Sequence, residues 1–270
     1  MSFSIVMPAR NSELTILKAL KSTLRSMGER DELLLGLHDC LDSTQEICKK
    51  ITDSRLKISI HSGGSLSDVL NDLCARAQGD YIARMDSDDV CLPWRFWLQK
   101  RIINRQPDAF IFSSAIIGFP FFGGYFLIPQ YTFSLNTREI YKLLVESNPL
   151  NHPTFVGPRE LIKSLGGYHS TAGEDLDLWL RAALMDVKMF RSRAPLIIYR
   201  LSATQLSREK GFAQGWRDSP QILANRAILK TKVAKFSSMF GPLAVLKIGL
   251  QEMGLPTPKK LRIRFWRLFS

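Results

Sequence analysis

Three carboxylates fall within four residues, at Asp86, Asp88 and Asp89, directly after the apolar run 81–85. Like charges this close disfavour one another's ionised form, so a fold that gathers them usually supplies a cation. Hard divalent ions such as Mg²⁺ and Mn²⁺ take oxygen ligands and keep one or two carboxylates together with substrate phosphates. The spacing therefore indicates a divalent metal site. The alternative is a solvated turn in which Asp89 caps the helix that follows near Pro93.

The elements that must position these acids follow from hydrophobic periodicity. Apolar runs at 3–7, 33–37, 56–60 and 81–85 predict four strands, and the segments 13–27, 42–50 and 66–77 predict helices between them. This alternation favours a mostly parallel sheet with helices on both faces. Ligands bind such sheets beyond the carboxyl ends of the strands, and Asp39 and the acidic cluster both follow a predicted strand.

One uncharged stretch, residues 109–137, is long enough to raise the question of a membrane span. Prolines and glycines interrupt it, and its Phe, Ile and Tyr residues predict two buried strands around a turn instead.

The composition is that of an ordinary globular protein, because 45% of the 270 residues are hydrophobic and 23% are charged. The four cysteines have no CxxC spacing, which indicates free thiols in a reducing compartment. The first residues lack the basic and apolar regions of a secretory signal, so we expect a cytoplasmic location.

The positive charge is concentrated at one end of the chain. Residues 221–270 hold ten Lys or Arg against the single acid Glu252, a surplus of +9 within the formal charge of +12. Apolar residues alternate with these cations in helical style, and residues 259–269 combine five cations with six large apolar side chains. We predict a basic amphipathic helical C-terminal segment, 216–270, that binds an anionic membrane surface. The alternative is a helix that packs on the domain and exposes a basic face.

Seven segments in order resemble the motifs of inverting family two glycosyltransferases, which have the GT-A fold for nucleotide-diphospho-sugars. They are residues 4–11, 38–44, 79–90, 148–154, 166–168, 174–181 and 199–200. The resemblance covers roughly residues 3–207, and its DXD motif is Asp86-Ser87-Asp88. It implies a GT-A domain at 1–215 that transfers a sugar from a nucleotide diphosphate donor, with UDP the expected nucleotide, to a glycan or lipid-linked acceptor in polysaccharide or lipopolysaccharide biosynthesis.

The resemblance also implies roles for residues on the donor side. Asp39 would accept a hydrogen bond from the base, with Pro8, Ala9 and Arg10 in the first nucleotide loop. Asp86 would lie near the ribose, and Asp88 would hold Mn²⁺ or Mg²⁺ against the diphosphate.

Three further residues belong to the reaction and the acceptor side by the same resemblance. Asp175 would be the general base that takes the proton of the attacking hydroxyl. Its neighbour Glu174, together with His152, would lie near the acceptor. From the residues alone, the acids at 174, 175 and 177 would also simply favour the start of a helix, and His152 would equally be a structural histidine. Arg84 would add positive charge near the diphosphate or form a structural salt bridge.

The chain departs from the family pattern at three places. Arg10 replaces the aromatic residue that often precedes Asn11, Cys40-Leu41 replaces a common glycine, and Ser202 stands where many relatives carry a histidine. The last change predicts weaker metal dependence.

Two other function classes use some of the same features. A nucleic-acid-binding protein would suit the sequence pI of 9.7, but no RNP1, KH or zinc-finger signature is present, and we expect no nucleic-acid partner. A metal-dependent nucleotidyltransferase or phosphatase would use the same acids, although no GxGxxG or GxxxxGK[ST] loop occurs. We therefore expect an enzyme that acts on the cytoplasmic face of the inner membrane as a peripheral protein.

Overall fold

Strands and helices alternate along the first hundred residues of the computed structural model, which describes residues 1–121, 124–130, 133–201 and 219–234. The strands are β1 Phe3–Ala9, β2 Glu32–His38, β3 Leu56–His61, β4 Tyr81–Arg84, β5 Val90–Cys91, β6 Phe110–Phe121, β7 Gly124–Pro129, β8 Val156–Pro158 and β9 Met189–Arg200. The helices are α1 Ile16–Ser26, α2 Thr44–Lys49, α3 Leu66–Arg76, α4 Arg95–Ile103, α5 Thr137–Leu144, α6 Arg159–Ser164, α7 Glu174–Leu184 and α8 Pro220–Val233. A 3₁₀ turn spans His152–Thr154.

Within the described residues, the strands form one mixed sheet in the order β3-β2-β1-β4-β8-β6-β9-β5, with β7 paired to β6. Strands β3, β2, β1 and β4 are parallel, and β8 joins β4 and β6 in the antiparallel sense. Strands β6 and β9 run parallel, while the short β5 is antiparallel to β9. This confirms the predicted α/β sheet of GT-A type.

Two helical layers cover the two faces of the sheet. Helices α1, α2 and α4 pack on one face, and α3, α5, α6, α7 and α8 pack on the other. Alternating side chains of β1 pack against both layers. Ile5 and Met7 lie in the core under α1, α2 and α4, whereas Val6 lies in the core on the other face. Because a strand's side chains alternate between faces, strands covered on both sides are mostly apolar, and every residue of β1 and β2 is buried.

The register of the parallel strands brings their carboxyl ends to one edge. Ala9 pairs with Leu37 on β2, and Val6 pairs with Arg84 on β4. The loops that follow β1, β2 and β4 therefore start side by side. They carry Arg10, Asp39 and the acidic cluster, as the alternating pattern predicts.

The prediction of two buried strands within 109–137 is only half right. Strand β6 is largely buried, but β7 is mostly exposed, with Phe126 55% accessible. The reason is position, because β7 pairs with β6 off the main strand order and lies at an edge. Among the described residues, no helix is both long and apolar enough to cross a bilayer.

The first helix is shorter than the predicted 13–27, since α1 begins at Ile16. Leu14 and Leu17 have the spacing of one helical face in the sequence, but Leu14 is 91% exposed and Leu17 is also exposed. The helix thus buries a narrower stripe than its sequence suggests, centred on Ala19, Leu20 and Thr23.

Part of the predicted C-terminal segment packs on the domain. Helix α8 contacts α5 and α7 and buries Ile222, Leu229 and Val233. Its Lys232 Nζ lies 2.7 Å from Asp186 Oδ1 in the turn after α7. The basic residues 259–269 lie outside the described part of the chain, so their binding to a membrane stays a prediction.

Candidate active site

The acidic cluster lies in the loop between β4 and β5. One carboxylate oxygen from each of Asp86, Asp88 and Asp89 falls within 4.8 Å of the others. Asp89 is fully buried, and its Oδ1 accepts a hydrogen bond from the backbone N–H of Arg200 at 3.0 Å. Its Oδ2 has no hydrogen-bond partner among the described residues. Burial, and then the charges of Asp88 and Asp86, raise the pKa of Asp89 well above its usual value.

A buried carboxylate oxygen without a donor is costly unless a cation or a proton satisfies it. Asp89 shares the cluster with the carboxylates of Asp86 and Asp88, and convergent carboxylate oxygens are the ligand type that Mg²⁺ and Mn²⁺ prefer. The residues present therefore fit a hard divalent ion. The alternative use of Asp89 as a helix cap is wrong, because α4 begins at Arg95 with Trp94 as its N-cap.

Arg84, at the end of β4, forms an ion pair with the first acid of the cluster. Its buried guanidinium donates to Asp86 Oδ1 at 2.6 Å and to the carbonyl oxygen of Met85. Burial by itself would lower the pKa of Arg84, but the charge of Asp86 leads the interactions that raise it overall. Arg84 thus stays charged, and the salt bridge that we considered for it is present.

Asp39 follows β2 and faces the loop after β3. It has a left-handed backbone, with φ of 44°. Its Oδ1 accepts the backbone N–H of Gly63 at 3.0 Å, and its Oδ2 lies 3.4 Å from His38 Nε2. The side chain is 37% exposed, so it remains open to a ligand at the sheet edge.

The loop after β1 joins the Asp39 region to the acidic cluster. Pro8 and Ala9 are buried in β1, whereas Arg10 is exposed. The Ser12 hydroxyl lies 2.9 Å from the hydroxyl of Ser87, which stands between the first two acids. Asn11 Oδ1 accepts the N–H of Leu41 at 2.8 Å. The three loops therefore form one continuous rim.

Asp175 lies in the first turn of α7, and both of its oxygens are held. Its Oδ2 accepts a hydrogen bond from Asn148 Nδ2 at 2.9 Å, and its Oδ1 accepts the backbone N–H of Leu176 at 2.7 Å. Burial raises the pKa of Asp175, which makes it a stronger base than an exposed aspartate. Gly173 precedes it with φ of 78°, a left-handed conformation that glycine adopts at little cost.

The pKa of Glu174 responds to charges from both acidic regions. Burial, and next the charge of Asp175, raise its pKa to about 7, and the charge of Asp86 contributes in the same direction. The positive charge of Arg84 acts on both Glu174 and Asp175. The carboxylates of α7 and those after β4 therefore share one electrostatic environment.

His152 is packed beside Glu174 in the 3₁₀ turn. Its Nε2 lies 3.1 Å from the Tyr168 hydroxyl, and its Nδ1 lies 3.8 Å from Glu174 Oε1. Burial, with a further contribution from Arg84, lowers its pKa well below the usual 6.5, so the imidazole is neutral. Its ring also lies 5.8 Å from that of Trp179. Through these contacts, His152 packs against the side chain of Glu174.

Four residues of the site have contacts that motif reading did not reveal: Asn148, Ser12, Ser87 and Arg200. Arg200 binds the cluster twice, through its backbone N–H to Asp89 and through its Nε to the carbonyl oxygen of Asp88. Asn148 and Arg200 belong to segments that resemble the family motifs, but only the tertiary contacts show their partners. Ser202, from which we predicted weaker metal dependence, lies outside the described residues.

Comparison with known proteins matches this architecture. The sequence profile described as "Glycosyl transferase family 2" matches residues 4–165. A glycosyltransferase of Haemophilus influenzae is 24% identical over 80% of this chain and 84% of its own length. The Escherichia coli protein WfgD, a UDP-Glc:alpha-D-GlcNAc-diphosphoundecaprenol beta-1,3-glucosyltransferase, is 27% identical over 77% of this chain and 80% of its own.

The crystal structure of Staphylococcus aureus TarS 1–349 in complex with UDP-GlcNAc superposes with a TM-score of 0.65. The match covers 93% of this chain and 78% of TarS 1–349 at 17% sequence identity, which is a likeness of fold. The profile spans more than half of the chain and includes the acidic cluster, Asp39 and Asn148. The chain therefore belongs to glycosyl transferase family 2.

Proposed function

We propose that the protein is an inverting glycosyltransferase of bacterial surface-polysaccharide biosynthesis. The donor is a nucleotide diphosphate sugar, with UDP as the nucleotide, and the acceptor is a glycan or a lipid-linked glycan. Residues 1–215 would form the catalytic GT-A domain. WfgD, whose name gives a UDP-sugar donor and a diphosphoundecaprenol-linked acceptor, supports this choice, as does the UDP-GlcNAc complex of TarS.

The observation that carries the proposal is a cluster of three carboxylates after β4, one with a buried oxygen that lacks a donor among the described residues, together with the hydrogen-bonded carboxylate of Asp175. The charge of Asp86 raises the pKa of Glu174, which adjoins Asp175 in the first turn of α7. A transferase of this kind needs cation ligands for a diphosphate and a base for an alcohol within reach of one sugar carbon. The short range of such charge effects supports a single cleft for both tasks.

On the donor side, Asp39 would accept a hydrogen bond from the base, and Ala9 and Arg10 would line the same pocket. Asp88, with Asp86 and Asp89, would hold Mn²⁺ or Mg²⁺. When bound, the ion neutralises charge that grows on the leaving diphosphate. Arg84 keeps Asp86 in place and adds a fixed positive charge nearby.

On the acceptor side, Asp175 would take the proton of the attacking hydroxyl. The hydroxyl oxygen forms a bond to C1 of the donor sugar while the bond from C1 to the diphosphate oxygen breaks. The nucleoside diphosphate leaves with that electron pair, and the proton resides on Asp175. A single in-line displacement inverts the configuration at C1, and it requires one general base.

A donor screen tests this function directly. Full-length protein with Mn²⁺ should show a rise in Tm with UDP-sugars, because a ligand that binds only the folded state stabilises it. Product analysis with a glycan-lipid acceptor should then give a transferred sugar of inverted configuration and one nucleoside diphosphate per transfer. Pyrophosphate or free phosphate as the primary product would contradict the proposal and favour the nucleotidyltransferase or phosphatase alternative.

A further inference from the structure

Helix α4 exposes two tryptophans on one stripe. Trp94 is 49% and Trp97 is 59% accessible, although tryptophan is usually well buried. Arg101 lies one turn beyond Trp97 and stacks on its ring, with the guanidinium carbon 5.0 Å from the ring centroid. Spacings of three and four residues place these side chains on one face of the helix. Trp94 is fixed by a hydrogen bond from Nε1 to the carbonyl oxygen of Pro195 at 3.3 Å.

Helix α1 lies next to α4 in the same layer and exposes cations. The Ser22 and Ser26 hydroxyls accept backbone N–H groups of Cys91 and Phe96, which fastens α1 to the start of α4. On the outer side of α1, Lys18, Lys21 and Arg25 are exposed.

The charge on these two helices is of one sign. Neither α1 nor α4 contains an Asp or Glu. In the described parts of the chain, no ion pair involves the four exposed cations Lys18, Lys21, Arg25 and Arg101. The neighbouring Lys100, by contrast, is paired with Asp31. We call the surface of Trp94, Trp97, Arg101, Lys18, Lys21 and Arg25 the α1–α4 face.

A shallow apolar groove continues the α1–α4 face toward α2. It has a volume of about 500 Å³ and is lined by Leu17, Ile47 and Ile51, with Lys21 and Lys50 among its other lining residues. An apolar floor beside lysines suits an acyl chain near an anionic headgroup.

We propose that the α1–α4 face is a docking surface for an anionic lipid bilayer. Tryptophan side chains favour the interfacial region of a membrane, where the ring is partly desolvated and the indole N–H stays hydrogen-bonded. Lysine and arginine add attraction to anionic headgroups. This surface is distinct from the basic residues 259–269, and it places a second set of contacts on the folded domain.

The position of the α1–α4 face next to the active site gives the docking a consequence. Helix α1 begins after the loop of Arg10, and α4 begins after the acidic cluster, so the first turns of both helices lie at the site edge of the sheet. A bilayer bound there would bring lipid headgroups level with the cleft. That consequence rests on the proposed function, but the docking itself does not.

Vesicle flotation of full-length protein tests the docking. The vesicles contain either phosphatidylcholine alone or phosphatidylcholine with 30% phosphatidylglycerol, a fraction chosen to give a strongly anionic surface (on the order of that in PS-rich membranes). We expect binding to the anionic vesicles only, and a loss of binding as salt is raised. Equal binding to neutral vesicles would overturn the role of charge.

Two matched variants locate the contact. The triple variant K18Q/K21Q/R25Q should weaken anionic-vesicle binding about tenfold or more, since each cation near the surface contributes roughly fivefold. The control variant K163Q/K188Q/K230Q removes the same number of positive charges from exposed positions in α6, after α7 and in α8, on the other face of the sheet. Because both variants retain residues 259–269, equal binding by the two would show that the C-terminal segment acts alone and would overturn the proposal.

Tryptophan fluorescence provides a readout that does not depend on charge. Brominated lipids should quench the wild type more strongly than W94F/W97F, while near-ultraviolet circular dichroism confirms that both are folded. Similar quenching of the two proteins would contradict insertion of α4. If K18Q/K21Q/R25Q instead changed the oligomeric mass by light scattering, or RNA retention, and left vesicle binding intact, the face would serve a second copy or a nucleic acid, and the proposal would fail.

Discussion

Asn148, which precedes the 3₁₀ turn, holds Asp175 at the start of α7, with its Nδ2 donating to Asp175 Oδ2 at 2.9 Å. The amide is itself oriented, because Asn148 Oδ1 accepts the backbone N–H of Leu150 at 3.2 Å. This hydrogen bond lowers the pKa of Asp175 and partly offsets the larger opposite effect of burial. Asn148 therefore helps to orient the proposed general base and, together with the backbone N–H of Leu176, lowers its pKa.

Replacing Asn148 with alanine should lower kcat roughly tenfold, within the span of about 10²–10⁴ that general bases contribute in total. The donor KM should change little. Because the lost hydrogen bond favoured the ionised carboxylate, the pKa of Asp175 should rise and the acid limb of the kcat profile should move to higher pH. The exposed Asn104→Ala serves as the control. A tenfold loss of kcat with an unmoved acid limb would show a purely structural role.

Asp175→Asn should reduce turnover by about 10²–10⁴-fold, since an amide cannot take the proton of the attacking hydroxyl. Donor binding, measured by the rise in Tm with UDP and Mn²⁺, should remain, because Asp175 is assigned to the acceptor side. The exposed Asp108→Asn is the matched control. Turnover near that of the control would remove Asp175 from the mechanism.

The acidic cluster predicts a stability effect of divalent ions. Mn²⁺ should raise the Tm of the wild type, since the ion binds the folded protein and relieves the crowded carboxylates. Asp88→Ala should abolish both this rise and turnover. Asp89→Asn, which keeps the shape, should raise the Tm without metal and lose most of the response to Mn²⁺. A full Mn²⁺ response in both variants would place the ion elsewhere.

Glu174 predicts a pH dependence of folding stability. Its pKa of about 7 in the folded protein exceeds the usual value of 4.5. The folded state therefore holds the proton more tightly, and the stabilising contribution that is complete below pH 4.5 is lost as the pH rises to 7. Measured without metal, the free energy of unfolding of the wild type should fall relative to Glu174→Gln across this window.

The slope of that difference should not exceed about 1.4 kcal/mol per pH unit, the limit for one proton. Denaturant unfolding at pH 5 and pH 8 provides the comparison, and Glu160→Gln, at an exposed position, is the control. A difference between wild type and Glu174→Gln that does not change with pH would mean that Glu174 is ionised throughout.

Trp179 is the centre of an aromatic cluster behind the site. The fully buried indole contacts Phe112 and Phe155, with ring centroids 4.7 and 4.6 Å away. Trp179→Ala should lower the free energy of unfolding by about 3–5 kcal/mol through loss of burial and a residual cavity. Trp179→Phe should cost less, because the indole N–H has no hydrogen-bond partner in the described structure. Equal losses in the two variants would contradict a packing role.

Several features follow from the sequence alone because they depend on local patterns. The alternation of strands and helices, the fold class and the place of the acids after β2 and β4 were predictable from apolar runs and turn residues. The family was predictable because seven motifs occur in order, and the match over residues 4–165 confirms it. The assigned roles of Asp39, Asp88 and Asp175 stay predictions.

Other features depend on packing between distant segments. The exposure of β7 follows from its place at a sheet edge, which an apolar run does not encode. Likewise, Leu14 and Leu17 have helical spacing, yet they face solvent because α1 packs along a narrower stripe. The hydrogen bond from Asn148 to Asp175 joins residues 27 positions apart and has no signature in either local segment.

The sequence by itself determined which chemical groups the protein has and which strand ends carry them, since backbone periodicity acts over a few residues. Tertiary structure alone decided that Asp89 is buried with one oxygen bound by Arg200, that Asn148 holds Asp175, and that Trp94 stays half exposed while it donates to Pro195. Each of these depends on desolvation and charge at distances of a few ångströms between segments that the chain order keeps apart. These effects of desolvation and charge arise only when the sheet and its two helical layers have formed.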